Sequence, residues 1–152
     1  MRIYLPSTLP ELLEDDLAPR VVHAVTPALR AALPDEDDEG LEYAAQLLAA
    51  DDSLDLLGGS PGIPRRRLVV AADVPDEAVE AVSPDEEHAP SLVRLTARVA
   101  WSEVACGHVD EPGAEQDVRA ALRGDQAAVE RLVERDLLWY DVSELASLAG
   151  RR

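Results

Sequence analysis

A short β-like run recurs along this chain, each time followed by a small or polar residue, a proline and an amphipathic segment. Residues 3–5 precede Ser7-Thr8-Leu9-Pro10-Glu11, and residues 21–25 lead into Thr26-Pro27. Residues 68–72 lead into Asp73-Val74-Pro75, and residues 104–109 into Asp110-Glu111-Pro112. Proline suits the start of a helix because its φ is preset and the N–H it lacks would have no partner there. Each junction therefore reads as strand passing into helix. Thr8 and Glu11 have capping-box spacing, and Thr26 is placed to cap a helix that begins at Pro27.

The longest helical signal covers residues 36–57. Tyr43, Leu47, Ala50, Leu54 and Leu57 fall at alternating spacings of four and three, which is one face of an α-helix, with Glu42, Gln46 and Ser53 opposite. Gly58-Gly59-Ser60-Pro61-Gly62 ends it. The next strand, Arg67-Leu68-Val69-Val70-Ala71-Ala72, has a continuous apolar core that suits burial on both faces. Residues 76–90 read as a short helix and then a surface loop. Residues 92–99 alternate, Val93, Leu95, Ala97 and Val99 against Arg94, Thr96 and Arg98, which predicts one strand with a wet face. The chain turns at 100–103 into a strand over 104–109. The last third reads as helical: 118–122, 127–135, and a final helix capped by Asp136 with Leu138, Val142, Leu145 and Ala149 on its stripe.

This order, β-α-β-α-β-(α)-β-β-α-α, predicts a single α+β domain over residues 1–152, a two-layer sandwich of helices on a four- or five-stranded mixed sheet. Ile3, Leu5, Leu47, Leu54, Val69, Ala71, Val104, Leu138, Val142 and Leu145 are expected in its core.

Charge narrows the choice of partners. The 152 residues carry a formal charge of −17, with 31 acids against 14 basic residues, all of them arginine. Such a surface repels phosphate backbones and anionic headgroups, so neither nucleic acid nor membrane is an expected partner. Residues 35–55 and 73–87 hold 16 acids and no basic residue, blocks that would steer a basic protein partner or a cation. Lysine and phenylalanine are absent while Ala, Arg, Asp and Val abound, the coding bias of a GC-rich bacterial genome. An apolar fraction of 47% argues for a folded chain despite the charge. The lone cysteine, Cys106, rules out an internal disulfide. Met1-Arg2-Ile3-Tyr4-Leu5-Pro6 does not make a signal peptide, and no apolar stretch approaches the ~20 residues needed to span a bilayer. A cytoplasmic protein is expected.

Few residues form constellations that carry chemistry. Asp35-Glu36-Asp37-Asp38-Glu39-Gly40 begins like a calcium loop, but Glu42 stands where an apolar residue belongs and Gln46 where a bidentate glutamate is needed. It reads as a solvated acidic turn favoured at a helix start. Cys106, His108 and Asp110 alternate, so a strand points all three to one face, where they would suit a metal ion or a thiolate–imidazole nucleophile. Their Cβ atoms are roughly 6.5–7 Å apart along one strand, which suits neither a close Cys–His pair nor chelation without other ligands, Glu42 or Tyr43 being candidates to join them. Asp110 alternatively caps the turn near Pro112. His23 shares a face with Val21 and Val25 and reads as a hydrogen-bonded, partly buried histidine. Arg65-Arg66-Arg67 suits an anion clamp or pairing with nearby carboxylates. Leu137-Leu138-Trp139-Tyr140 is the most concentrated apolar and aromatic segment, a core anchor or an oligomer interface. No phosphate loop, nucleophile elbow, zincin motif or paired Cys-x-x-Cys occurs, so no cofactor is expected.

Arg2-Ile3-Tyr4-Leu5-Pro6, Ala24-Val25-Thr26-Pro27-Ala28-Leu29 and Leu41-Glu42-Tyr43-Ala44-Ala45 belong to a wider set of segments. With Val69-Val70-Ala71-Ala72-Asp73-Val74-Pro75, His108-Val109-Asp110 and Leu137-Leu138-Trp139-Tyr140, the chain resembles a family of small, uncharacterised actinobacterial proteins, a domain of unknown function. The resemblance spans most of the chain. It implies a bacterial cytoplasmic setting and brings no activity or catalytic residue with it. Three functions remain in view. The first is a non-enzymatic binding or regulatory module acting through protein contacts, as a monomer or weak homodimer. The second is a metal-binding protein or small enzyme using Cys106, His108 and Asp110. The third is an acidic nucleic-acid mimic.

Overall fold

The computed structural model describes residues 1–82 and 88–150. Its strands are β1 (Arg2–Ser7), β2 (Asp16–Leu17), β3 (Val21–His23), β4 (Leu68–Asp73), β5 (Val79–Ala81), β6 (Leu92–Leu95), β7 (Val99–Ala100), β8 (Val104–Val109) and β9 (Leu138–Asp141). Its helices are α1 (Pro27–Ala32), α2 (Asp38–Gly58), α3 (Glu115–Leu122), α4 (Gln126–Glu134) and α5 (Val142–Gly150). The class is α+β, as expected, but the sheet is larger. Seven strands run in the order β5-β6-β3-β1-β4-β8-β9, and β2 and β7 form a separate pair. Among the described residues every pairing in both sheets is antiparallel, not mixed.

Both faces of the sheet are covered, which replaces the expected two layers with three. Ile3, Leu5, Leu68, Val70 and Ala72 point to one face, under α5, the 3-10 turn Leu9–Leu13 and the β2–β7 pair. Tyr4, Val69, Ala71 and Cys106 point to the other, under Leu41, Ala45, Ala49 and Ala50 of α2. This double burial is the reason for the unbroken apolar run in β4. A bulge at Ala71/Ala72 shifts the β4–β8 register and lets Ala105 bow outward between Val104 and Cys106.

The long helix forms where its pattern places it, with Asp37 as N-cap accepting from the Gly40 N–H at 2.8 Å. Its buried face matches the expected one only in part: Ala50 and Leu57 are buried as the stripe requires, and the rest is shifted. Leu41, Ala45, Ala49, Ser53 and Leu57 face inward, Tyr43 is exposed, and Leu47 and Leu54 are only half-buried. Small residues win this face because they let the helix lie close to the sheet. Ser53 there donates to the Ser7 carbonyl at 2.8 Å and accepts from the Leu68 N–H at 3.0 Å, stitching α2 to the ends of β1 and β4. Leu54 instead meets α3 and α4 in a satellite cluster with Leu57, Val118 and Leu132.

Other boundaries move for local reasons. Thr26 caps α1 as expected, accepting from the Leu29 N–H at 3.0 Å. Thr8 makes no such side-chain bond, because Glu11 is drawn to Arg20, and that segment is a 3-10 turn. Residues 92–99 split into β6 and β7, which join different sheets. The helix expected after residue 76 is a 3-10 turn (Asp76–Ala78) running into edge strand β5, and the loop expected beyond it lies partly outside the described residues. The final helix begins at Val142, not after Asp136, since residues 138–141 pair with β8 as β9. Leu138 is consequently 42% exposed rather than in the core.

Candidate functional site

The β8–β9 corner of the sheet brings two of the three alternating residues together. α2 crosses β3, β1 and β4, so Cys106 and His108 of β8 lie beside its footprint. Their Sγ and Nε2 atoms are 3.7 Å apart, because the side chains lean toward each other from positions on one face. Across the ladder Asp141 faces Cys106 and Trp139 faces His108. Arg2 and Asp73, registered on β1 and β4, form a two-pronged ion pair at 2.8 and 3.0 Å beside them. Burial raises the Cys106 thiol above its ordinary value, opposed by a bond from the Trp139 side chain and by Arg2. Burial, then the Arg2 charge, holds the His108 imidazole below its ordinary value. Burial, with Glu42 nearby, pushes the Tyr4 phenol up to about 12. All three groups are held neutral. A thiolate–imidazolium nucleophile requires the opposite shifts at Cys106 and His108.

Asp110 is set apart from that pair. It leaves β8 fully buried and accepts from Arg67 Nε, Nη2 and backbone N–H, each at 2.9 Å. The basic run is thus spent internally. Arg66 donates to the Asp110 carbonyl at 2.8 Å, and Arg65 donates to the Leu57 and Ser60 carbonyls at 2.5 and 2.8 Å, closing the C-terminal end of α2. Among the described residues, no three or more His, Cys, Asp or Glu side chains gather in metal-holding geometry.

A second constellation lies beneath α2, and no motif announces it. His23 Nδ1 lies 2.6 Å from Ser91 Oγ, and its Nε2 lies 2.6 Å from Asp52 Oδ2. Serine, imidazole and carboxylate thus stand in the order of a serine–histidine–carboxylate relay, with the two ring nitrogens exchanged relative to the protease arrangement. Access decides against that chemistry: Ser91 is 0% and His23 1% exposed, so an electrophile cannot approach the hydroxyl. The relay fastens β3, α2 and the approach to β6. Only the placement of His23 with Val21 and Val25 hinted at its burial, while Asp52 and Ser91 come from distant segments.

Two clefts adjoin the C-terminal half of α2. One of about 470 Å³ includes Glu11, Glu14, Asp16, Arg20 and Arg98; a neighbour of about 390 Å³ includes Pro6, Arg20, Asp52 and Leu56. Their arginines are engaged: Arg20 grips Glu11 and the Pro6 and Ala18 carbonyls, and Arg98 pairs with Asp16 at 2.7 Å. The exposed apolar side chains at the far edge of the sheet are of another kind. Trp139 is 61% exposed on terminal strand β9, beside Leu138 and close in sequence to exposed Val133.

The model of a family of unknown function matches residues 1–149. The chain belongs to this family, DUF6912. No curated protein and no solved structure matches it. Among the described residues of this DUF6912 chain, no helix is long and apolar enough to cross a membrane.

Proposed function

We propose that this DUF6912 chain is a non-enzymatic module that binds another protein through the β9 edge of its sheet. The observation that carries this reading is Trp139, one of two tryptophans, which stands 61% exposed on a terminal strand. Tryptophan is seldom left in water and is strongly enriched at the centres of protein interfaces. Leu138, next to it on the same strand, is 42% exposed on the opposite face of the sheet. An actinobacterial source and cytoplasmic residence belong to the same reading, the source supported by the arginine-only basic set. A photo-crosslinking amino acid placed at position 139, in cells of the source organism, is expected to trap a discrete protein adduct. The same group at exposed Leu13, on the turn Leu9–Leu13, serves as the control. Equal labelling from both positions, or none from 139, would remove the basis for a β9 interface.

A further inference from the structure

We infer that β9 takes up a basic, extended peptide segment as an eighth strand of the main sheet. The inference rests on the protein-binding reading and specifies its partner. Among the described residues the sheet ends at β9, which pairs there with β8 alone. The Asp141 N–H turns away from β8 and donates to Glu144 Oε1 at 3.1 Å. Backbone groups alternate sides along a strand, so Trp139, two residues earlier, directs its N–H and C=O to that same open side. An incoming strand would meet one donor and one acceptor there, flanked by the exposed Trp139 and Leu138 side chains.

Charge selects the occupant. Asp136 precedes β9, Asp141 ends it, and Glu144 lies in the first turn of α5. Among the described residues the nearby arginines are committed: Arg2 to Asp73, and Arg135 to Glu111 and Asp117. A segment carrying lysine or arginine would complement this rim, and one such side chain would stack on the exposed indole face. Main-chain bonds to an edge and side-chain pockets at alternate positions are the known physics of strand addition. A second copy of this chain, at −17, would bring the same acidic rim to itself.

The test titrates the full chain with a short labelled peptide alternating lysine and valine. Controls are its glutamate–valine counterpart and a backbone N-methylated lysine–valine version, which keeps the charge but cannot pair as a strand. Expected are salt-sensitive binding of the first peptide alone, and protection of the Trp139 amide from hydrogen exchange on binding. Trp139→Ser is expected to weaken binding about tenfold or more, equivalent to about 1.4 kcal/mol. Trp101, packed against the cluster on the other face of the sheet and bonded to the Glu14 carbonyl at 2.8 Å, reports that the variant is folded. Failure of the lysine–valine peptide to bind, equal binding of the N-methylated form, or an unprotected Trp139 amide overturns strand addition. A dimer at physiological salt that protects the same amide overturns the basic partner in favour of a second copy. An adduct trapped from position 139 alongside any of these results leaves the broader protein-binding reading standing, so the two fail separately.

Discussion

At the scale of single residues, the most consequential polar contact is the buried Arg67–Asp110 pair. Both side chains lie almost wholly out of water, yet the carboxylate receives three donors from Arg67. Removing one member strands the other as an unpaired buried charge, a loss of about 3–5 kcal/mol. Asp110→Ala is therefore expected to lower the urea midpoint sharply, whereas Asp16→Ala, in an exposed pair with Arg98, should change it little. Equal, small effects would show that Arg67 finds another acceptor. His108 gives a pH signature instead. Its folded-state value lies below the ordinary 6.5, so the unfolded chain takes up this proton first as the pH falls. Stability is retained above that value and lost as the pH drops through it toward the lower folded value. Denaturation midpoints between about pH 7.5 and 5.5 should slope less in His108→Gln than in the parent chain. Unchanged slopes would show that His108 does not carry the pH dependence.

At the scale of elements, α2 and β9 show which signals a linear pattern carries. The length and caps of α2 were legible, because a long apolar repeat, an acidic start and a glycine stop are local properties. Its inward face was legible only at Ala50 and Leu57, because close helix–sheet approach favours the small side chains Ala45, Ala49 and Ser53, which carry no hydrophobic signal of their own. Leu138 reads from the sequence as part of the last helical stripe, yet four consecutive large apolar residues suit a strand better: in β9, Trp139 takes one face and Leu138 and Tyr140 the other. Edge strands such as β5 and β9 need not read as buried, so the sheet was underestimated at both ends. Of the candidate site, the shared face of Cys106 and His108 was readable from their alternation. The Ser91–His23–Asp52 relay was not, since its members meet only through tertiary packing. Close approach also governs α5: a Cβ on Gly107 would sit 2.6 Å from a Leu145 methyl carbon. Leu145 is buried, so Gly107→Ala should cost about 1–3 kcal/mol through overpacking. Combining it with Leu145→Ala should recover part of that loss in a double-mutant cycle. Strict additivity would mean that α5 is not seated against β8 at this point.

At the scale of the whole molecule, the field of 17 excess negative charges opposes the most accessible route to self-association. Two β9 edges meeting across a two-fold axis would continue the sheet and cover both copies of Trp139, but they would also juxtapose Asp136, Asp141 and Glu144 of each chain. The Debye length is about 30 Å at 0.01 M salt and about 3 Å at 1 M, so this repulsion is felt across an interface only when salt is low. The expected outcome of light scattering is therefore a monomer at low salt, with weak association emerging as salt is raised. The same salt should weaken binding of a basic partner segment, because attraction between unlike charges is screened by the same ions. Opposite salt responses at one edge are a demanding signature. A dimer that is tight at low salt would show that apolar contact at β9 outweighs the charge of the whole chain, and would make a second copy, rather than a basic segment, the natural occupant of that edge.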